Sequence, residues 1–128
     1  MKVIQELIAY FDRRGKLTPE QIEKLLKQGL LASEAPDNMV ALGHQVGQTF
    51  YFRVRGQEVG CVWGTDVYTG DSALAAAAVH AGAVQLGETS VVKVTVEEPL
   101  QQYSGSTHNG ITSHSYGPYN TAYRVVAI

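Results

Sequence analysis

The spacing of apolar positions changes once along this chain. From about residue 2 to 31 it is helical: Val3, Ile4, Leu7, Ile8 and Phe11 share one face, and Gly15 suits a stop. A second helix starts at Thr18-Pro19-Glu20-Gln21. Thr18 can cap it, Pro19 suits the first helical position, and Gln21 can complete a capping box. Ile22, Leu25, Leu26 and Leu30 form its apolar face, and Gly29 is its stop. The pattern predicts an αα-hairpin. Two short helices cannot bury both stripes alone, so the hairpin must dock on the rest of the chain or on another chain.

The stretch Ser33 to Asn38 (SEAPDN) is polar, contains Pro36 and reads as a linker. It divides the chain into a helical extension, 1–36, and a domain, 37–128, expected to fold without the hairpin. Beyond it the period is two. Phe50, Phe52 and Val54 alternate with Tyr51, Arg53 and Arg55. Val59, Cys61 and Trp63 follow across Gly56-Gln57, which predicts a type II′ hairpin. Val92, Val94 and Val96 form a third alternating run, and Tyr123 to Ile128 a fourth. Between them, Asp71 to Gly82 is an alanine-rich helix, capped by Asp71 or Ser72 and ended by Gly82. It is apolar all round, so it should be buried on most sides, with strands approaching closely. The expected fold class is α+β: a central Ala-rich helix embraced by antiparallel β-structure, with an N-terminal αα-hairpin.

Charge sharpens the division. Residues 1–32 carry six Lys/Arg and four Asp/Glu, and residues 33–128 carry four and eight. The whole chain, at −2, offers no broad electrostatic reason to bind nucleic acid or an anionic membrane. The basic cluster Arg13-Arg14-Lys16 does not make a helix-turn-helix reader, because Glu20 and Glu23 at the second helix's start would face phosphates. Cys61 is the single cysteine, so no intramolecular disulfide can form and a cytoplasmic setting is expected. No signal sequence or membrane-spanning run is read.

Tyr103 to Gly117 contains almost no core material. Gly105, Gly110 and Gly117, several hydroxyls and aromatic rings describe a long shaped loop, and Asn109-Gly110 is a strong turn signal. With the segment before it, this loop resembles the LCCL domain family. The matching blocks are Val62-Trp63-Gly64-Thr65, Tyr68-Thr69-Gly70-Asp71-Ser72, Ala77-Ala78-Val79-His80-Ala81-Gly82, and Tyr103-Ser104-Gly105-Ser106 with Asn109-Gly110 and Ser113. They stand in the family's order and cover about residues 47–126. The resemblance implies a compact α+β fold and a non-enzymatic module. Extracellular members have been suggested to bind lipopolysaccharide or other microbial surface components. Members of that kind carry paired cysteines, one inside the central helix, where this chain has Ala75. The resemblance therefore points to a cysteine-poor, bacterial-type intracellular member.

Two classes of residue follow. Trp63, Asp71, Ser72, His80, Gly82, Tyr103, Gly105, Ser106, Asn109 and Gly110 are assigned to the structural motif. His80, at a helix C-terminus, could be poised near neutral pH, but a buried histidine bonded to backbone is favoured. Tyr116, Tyr119, His108, His114 and Tyr68 are the candidate ligand contacts, since Tyr offers rigid area with a polar handle. His108, His114 and His44 lack the spacing and companions of a zinc site. No nucleophile elbow and no P-loop occur. No catalytic residue, metal or cofactor is assigned. The expected function is a binding module for a polar ligand such as a glycan or lipid head group. The alternative is an intracellular protein-interaction module, self-associating through the hairpin or docking a partner on the aromatic surface.

Overall fold

Three of the alternating runs build the centre of one sheet. The structure is a computed structural model and describes residues 20–21 and 32–128. The strands are β1 (Ser33–Glu34), β2 (Thr49–Arg55), β3 (Gly64–Thr65), β4 (Val67–Thr69), β5 (Thr89–Glu97), β6 (Thr107–His108), β7 (Ile111–Thr112) and β8 (Ala122–Ala127), and the helix α1 is Leu74–His80. The main sheet runs β1-β2-β5-β8-β4-β3, and β6-β7 is a separate hairpin. The helical hairpin expected for residues 2–31 lies outside the described residues, apart from Glu20 and Gln21, which are helical.

β5 is central, antiparallel to β2 and β8. Its register sets Val92 opposite Phe52, Val94 opposite Val125 and Val96 opposite Tyr123. All six are buried, as the period of two requires. Lys93, Thr95 and Arg124 take the other face, where Arg124 Nε lies 3.5 Å from Glu97. The buried face packs on α1, whose Leu74, Ala76, Ala77, Ala78 and Val79 join the same core. The β6-β7 hairpin touches α1 as β8 does, so the helix is embraced. Small side chains permit this: Ala76, Ala77 and Ala78 leave room for neighbouring elements to approach the helix closely.

Four expectations change. The hairpin at Gly56-Gln57 does not form. Residues 57–62 are irregular, Val59 is exposed, and β2 pairs with β5 instead. Gly56 serves close approach, since a Cβ there would collide with the Gln85 carbonyl and the Val79 side chain. The linker is partly strand: β1 pairs parallel to β2, Arg53 bridges to Glu34, and Ala35 N–H donates to the Arg53 carbonyl at 3.0 Å. The helix starts at Leu74 without a side-chain cap. The Asp37 carbonyl accepts from Leu74 N–H at 2.8 Å, which leaves Ser72 free for other partners. Finally, the long loop carries structure of its own, the β6-β7 hairpin and a Tyr103–Tyr116 bridge.

Candidate functional site

Two groups of polar and aromatic residues stand out, one inside and one on the surface. The inner group surrounds His80 at the end of α1, where it is 2% exposed. Its Nδ1 lies 2.9 Å from the Tyr68 hydroxyl and its Nε2 lies 3.2 Å from the Ser106 carbonyl. A carbonyl only accepts, so the proton belongs on Nε2 and the Tyr68 hydroxyl donates to Nδ1. Thr65 donates its hydroxyl proton to the Ser104 carbonyl at 2.8 Å, so the Ser106 hydroxyl donates to Thr65 Oγ1. Ser106 Oγ is also 3.2 Å from His80 Nε2. That nitrogen has no free lone pair, so His80 cannot act as the base that would activate Ser106. The network ties α1 to β4 and to the segment before β6.

Burial lowers the His80 pKa; the Ser106 carbonyl opposes this, His108 adds to it and Asp66 opposes it. Burial likewise pushes Tyr68 up to about 12 and Tyr123 well above the usual phenol range. These phenols stay neutral and serve as hydrogen-bond donors. Tyr123 donates to the Ser72 carbonyl at 3.0 Å, and Ser72 Oγ accepts from Trp63 N–H at 3.0 Å.

Tyr68, expected among the ligand contacts, is fully buried. Its hydroxyl is consumed by His80, which corrects its assignment to the contact surface. Asn109 and Gly110 have φ of 54° and 83°, the two positive values of a type I′ turn between β6 and β7. Asn109 Nδ2 donates to the His80 carbonyl at 3.1 Å, so it also closes the end of α1. Gly105 N–H donates to Ser115 Oγ at 2.9 Å. Gly82, with φ of 80°, ends the helix turn. His108 is exposed with its ring 5.0 Å from that of His80, on the hairpin side. Thr65, Asp66, His80 and His108 border an open depression of about 150 Å³. Among the described residues no three His, Cys, Asp or Glu side chains converge to hold a metal ion.

The surface group lies along residues 114–119. Trp63 bridges to His114: Gly64 N–H donates to the His114 carbonyl at 3.0 Å, and His114 N–H to the Val62 carbonyl at 2.8 Å. Tyr103 and Tyr116 exchange backbone hydrogen bonds of 2.8 and 2.9 Å. This register lines up three rings. Trp63 and Tyr116 centroids are 6.4 Å apart at 64°, and Tyr116 and Tyr119 are 6.1 Å apart at 72°. Tyr116 is 49% exposed, Trp63 and Tyr119 are half-buried, and His114 is exposed. Tyr103 is buried, with its hydroxyl accepting from Leu100 N–H at 3.0 Å. The structure thus brings Tyr116, Tyr119 and His114 together with Trp63 and leaves His108 apart. Thr65 and Tyr123 were missed as members of the hydrogen-bonded frame. Their partners lie 41 and 51 residues away in sequence, so no local signal could reveal them.

No helix among the described residues is long and apolar enough to cross a membrane. Comparison with known proteins gives a match to the LCCL domain over residues 40–123, well over half of the chain. A stretch of 59 residues is 39% identical to the transcriptional regulatory protein rxt3 of Schizosaccharomyces pombe, covering 43% of this chain and 17% of that protein. The matched span encloses α1, β2 to β7 and both groups of residues just described, and the chain belongs to the LCCL domain family, a family of binding modules.

Proposed function

We propose that this domain is a recognition module that engages a protein partner through the row Trp63–Tyr116–Tyr119. The observation that carries the reading is the row itself: three rings in edge-to-face contact at an open surface, with Tyr116 49% exposed. Aromatic residues dominate the energetics of protein contacts, and a rigid backbone pairing pre-organises these. The similarity to a small part of a transcriptional regulatory protein supports a role as one module of a longer protein. A cytoplasmic setting belongs to the same proposal, because Cys61 is unpaired and exposed. Capture of host proteins on the immobilised full chain tests it. Loss of captured partners in Tyr116→Ala, with an unchanged melting temperature, is the expected result; unchanged capture would place the contact surface elsewhere.

A polar ligand, glycan or lipid head group, is the second reading. It is favoured by the exposed hydrogen-bonding residues His114, Ser115 and Asn120, which flank Tyr116 in sequence. A glycan array and a lipid-strip assay on the same two proteins decide between the readings. Self-association through residues 1–31 is tested separately by sedimentation of the full chain.

A further inference from the structure

The aromatic row ends against a carboxylate. Asp71 lies in the turn that leads into α1, directly before Ser72, whose hydroxyl receives Trp63 N–H. The phenol of Tyr119 lies beside it. Burial and then the Asp71 charge raise the pKa of that phenol. Asp71 Oδ1 is buried without a hydrogen-bond partner. The ion pairs among the described residues, Arg53–Glu34 and Arg124–Glu97, leave Asp71 without a cation.

A half-shielded carboxylate that no cation among the described residues pairs is electrostatically unbalanced. Ring faces carry negative quadrupole density, so the exposed Tyr116 ring of the row can attract a cation beside the carboxylate. Residues 33–128 hold four Lys/Arg against eight Asp/Glu, a net acidic balance of the same sign as Asp71. We propose that Trp63, Tyr116, Tyr119 and Asp71 form a site for the side-chain cation of a lysine or arginine carried by a basic protein segment. This rests on the reading of the row as a contact surface and names the chemistry that surface takes. The rings meet edge to face at 64° and 72°, and Tyr116, 49% exposed, is the ring a side chain can reach first. A net acidic domain also draws a basic segment, whereas it repels the phosphates of a lipid surface.

Trp63 is the single tryptophan, so its fluorescence reports on the site. The full chain is titrated with a capped Gly/Lys/Arg peptide, with the same peptide carrying Gln at every basic position, and with phosphatidylcholine vesicles. A saturable Trp63 response to the basic peptide alone is expected. The affinity should fall roughly tenfold in Asp71→Asn and in Tyr116→Leu, and Tyr116→Phe, which keeps the ring, should recover most of it. If Asp71→Asn fails to fold, the Tyr116→Leu and Tyr116→Phe pair decides alone. Equal binding of the Gln peptide overturns the proposal, as does a basic-peptide affinity that neither substitution changes. A response to vesicles in place of the basic peptide overturns it in favour of a lipid source. No response to any probe also overturns it. In each of these cases, continued loss of captured partners in Tyr116→Ala leaves the surface standing as a protein contact with a different ligand chemistry, whereas unchanged capture removes both.

Discussion

His80 meets a phenol at one ring nitrogen and a carbonyl at the other, and this pairing suits only the neutral ring. With its pKa lowered by burial, the folded protein binds fewer protons than the unfolded chain at mildly acidic pH. Stability is therefore complete above the unfolded histidine value of about 6.5 and falls as pH drops below it toward the lower folded value. Thermal melts between neutral and mildly acidic pH should show this slope, and His80→Gln should flatten it; an equally steep slope would assign the effect to other groups. The position of His80 at the end of a helix was legible in the sequence, and so were its burial and its bond to a backbone carbonyl. Its partners were not, since Ser106 lies 26 residues away and is brought in by the β6-β7 hairpin. Tyr68 shows the opposite failure. A tyrosine in a glycine- and hydroxyl-rich stretch looks exposed, but β4 pairs with β8 and turns it inward.

At the scale of elements, α1 is defined by what surrounds it. Ala77 and Ala78 are fully buried, with strands on one side and the β6-β7 hairpin on the other. Ala77→Leu should cost about 1–3 kcal/mol or more through overpacking, read as a lowered midpoint in urea with an unchanged slope. The hairpin turn makes a second demand. Gly110 has φ of 83°, so Gly110→Ala should destabilise by about 1 kcal/mol, whereas Gly117→Ala, where a Cβ meets nothing, should be nearly silent. The Asn-Gly signal marks this turn in the sequence alone, because positive φ at two successive residues has a residue signature. Gly56-Gln57 carried a similar signature and misled. A glycine required by a neighbouring carbonyl cannot be told from a turn glycine without that neighbour.

At the scale of the molecule, the long central strands and the helix followed from periodicity, because each buries a stripe that its own residues announce. The strands of two residues did not: β1 exists only through its pairing with β2, and β3, β6 and β7 sit in local hairpins too short to show a period. The consequence is practical at β1. Ala32 is buried, and Ser33 to Ala35 run beside β2. A chain beginning at residue 32 should melt at a higher temperature than one beginning at residue 37, which lacks this edge. Equal melting temperatures would show that β1 adds nothing and would favour the boundary at residue 36. The same edge matters for solubility, because its removal leaves the outer side of β2 open to another chain.

The turn of Asn109 and Gly110 also sets a clock. An asparagine followed by glycine is the sequence most prone to lose its amide, through attack of the next backbone nitrogen on the side-chain carbonyl. Here that amide is the donor that closes the end of α1 on the His80 carbonyl at 3.1 Å. Its conversion to aspartate or isoaspartate would replace the donor with an anion beside a carbonyl oxygen, at the negative end of the helix. Protein aged at neutral pH and mild heat should accumulate this change at Asn109, detectable by peptide mapping, and the aged fraction should melt earlier. Asn109→Asp should reproduce the loss in fresh protein. The shelf life of the fold would then be written in its tightest turn.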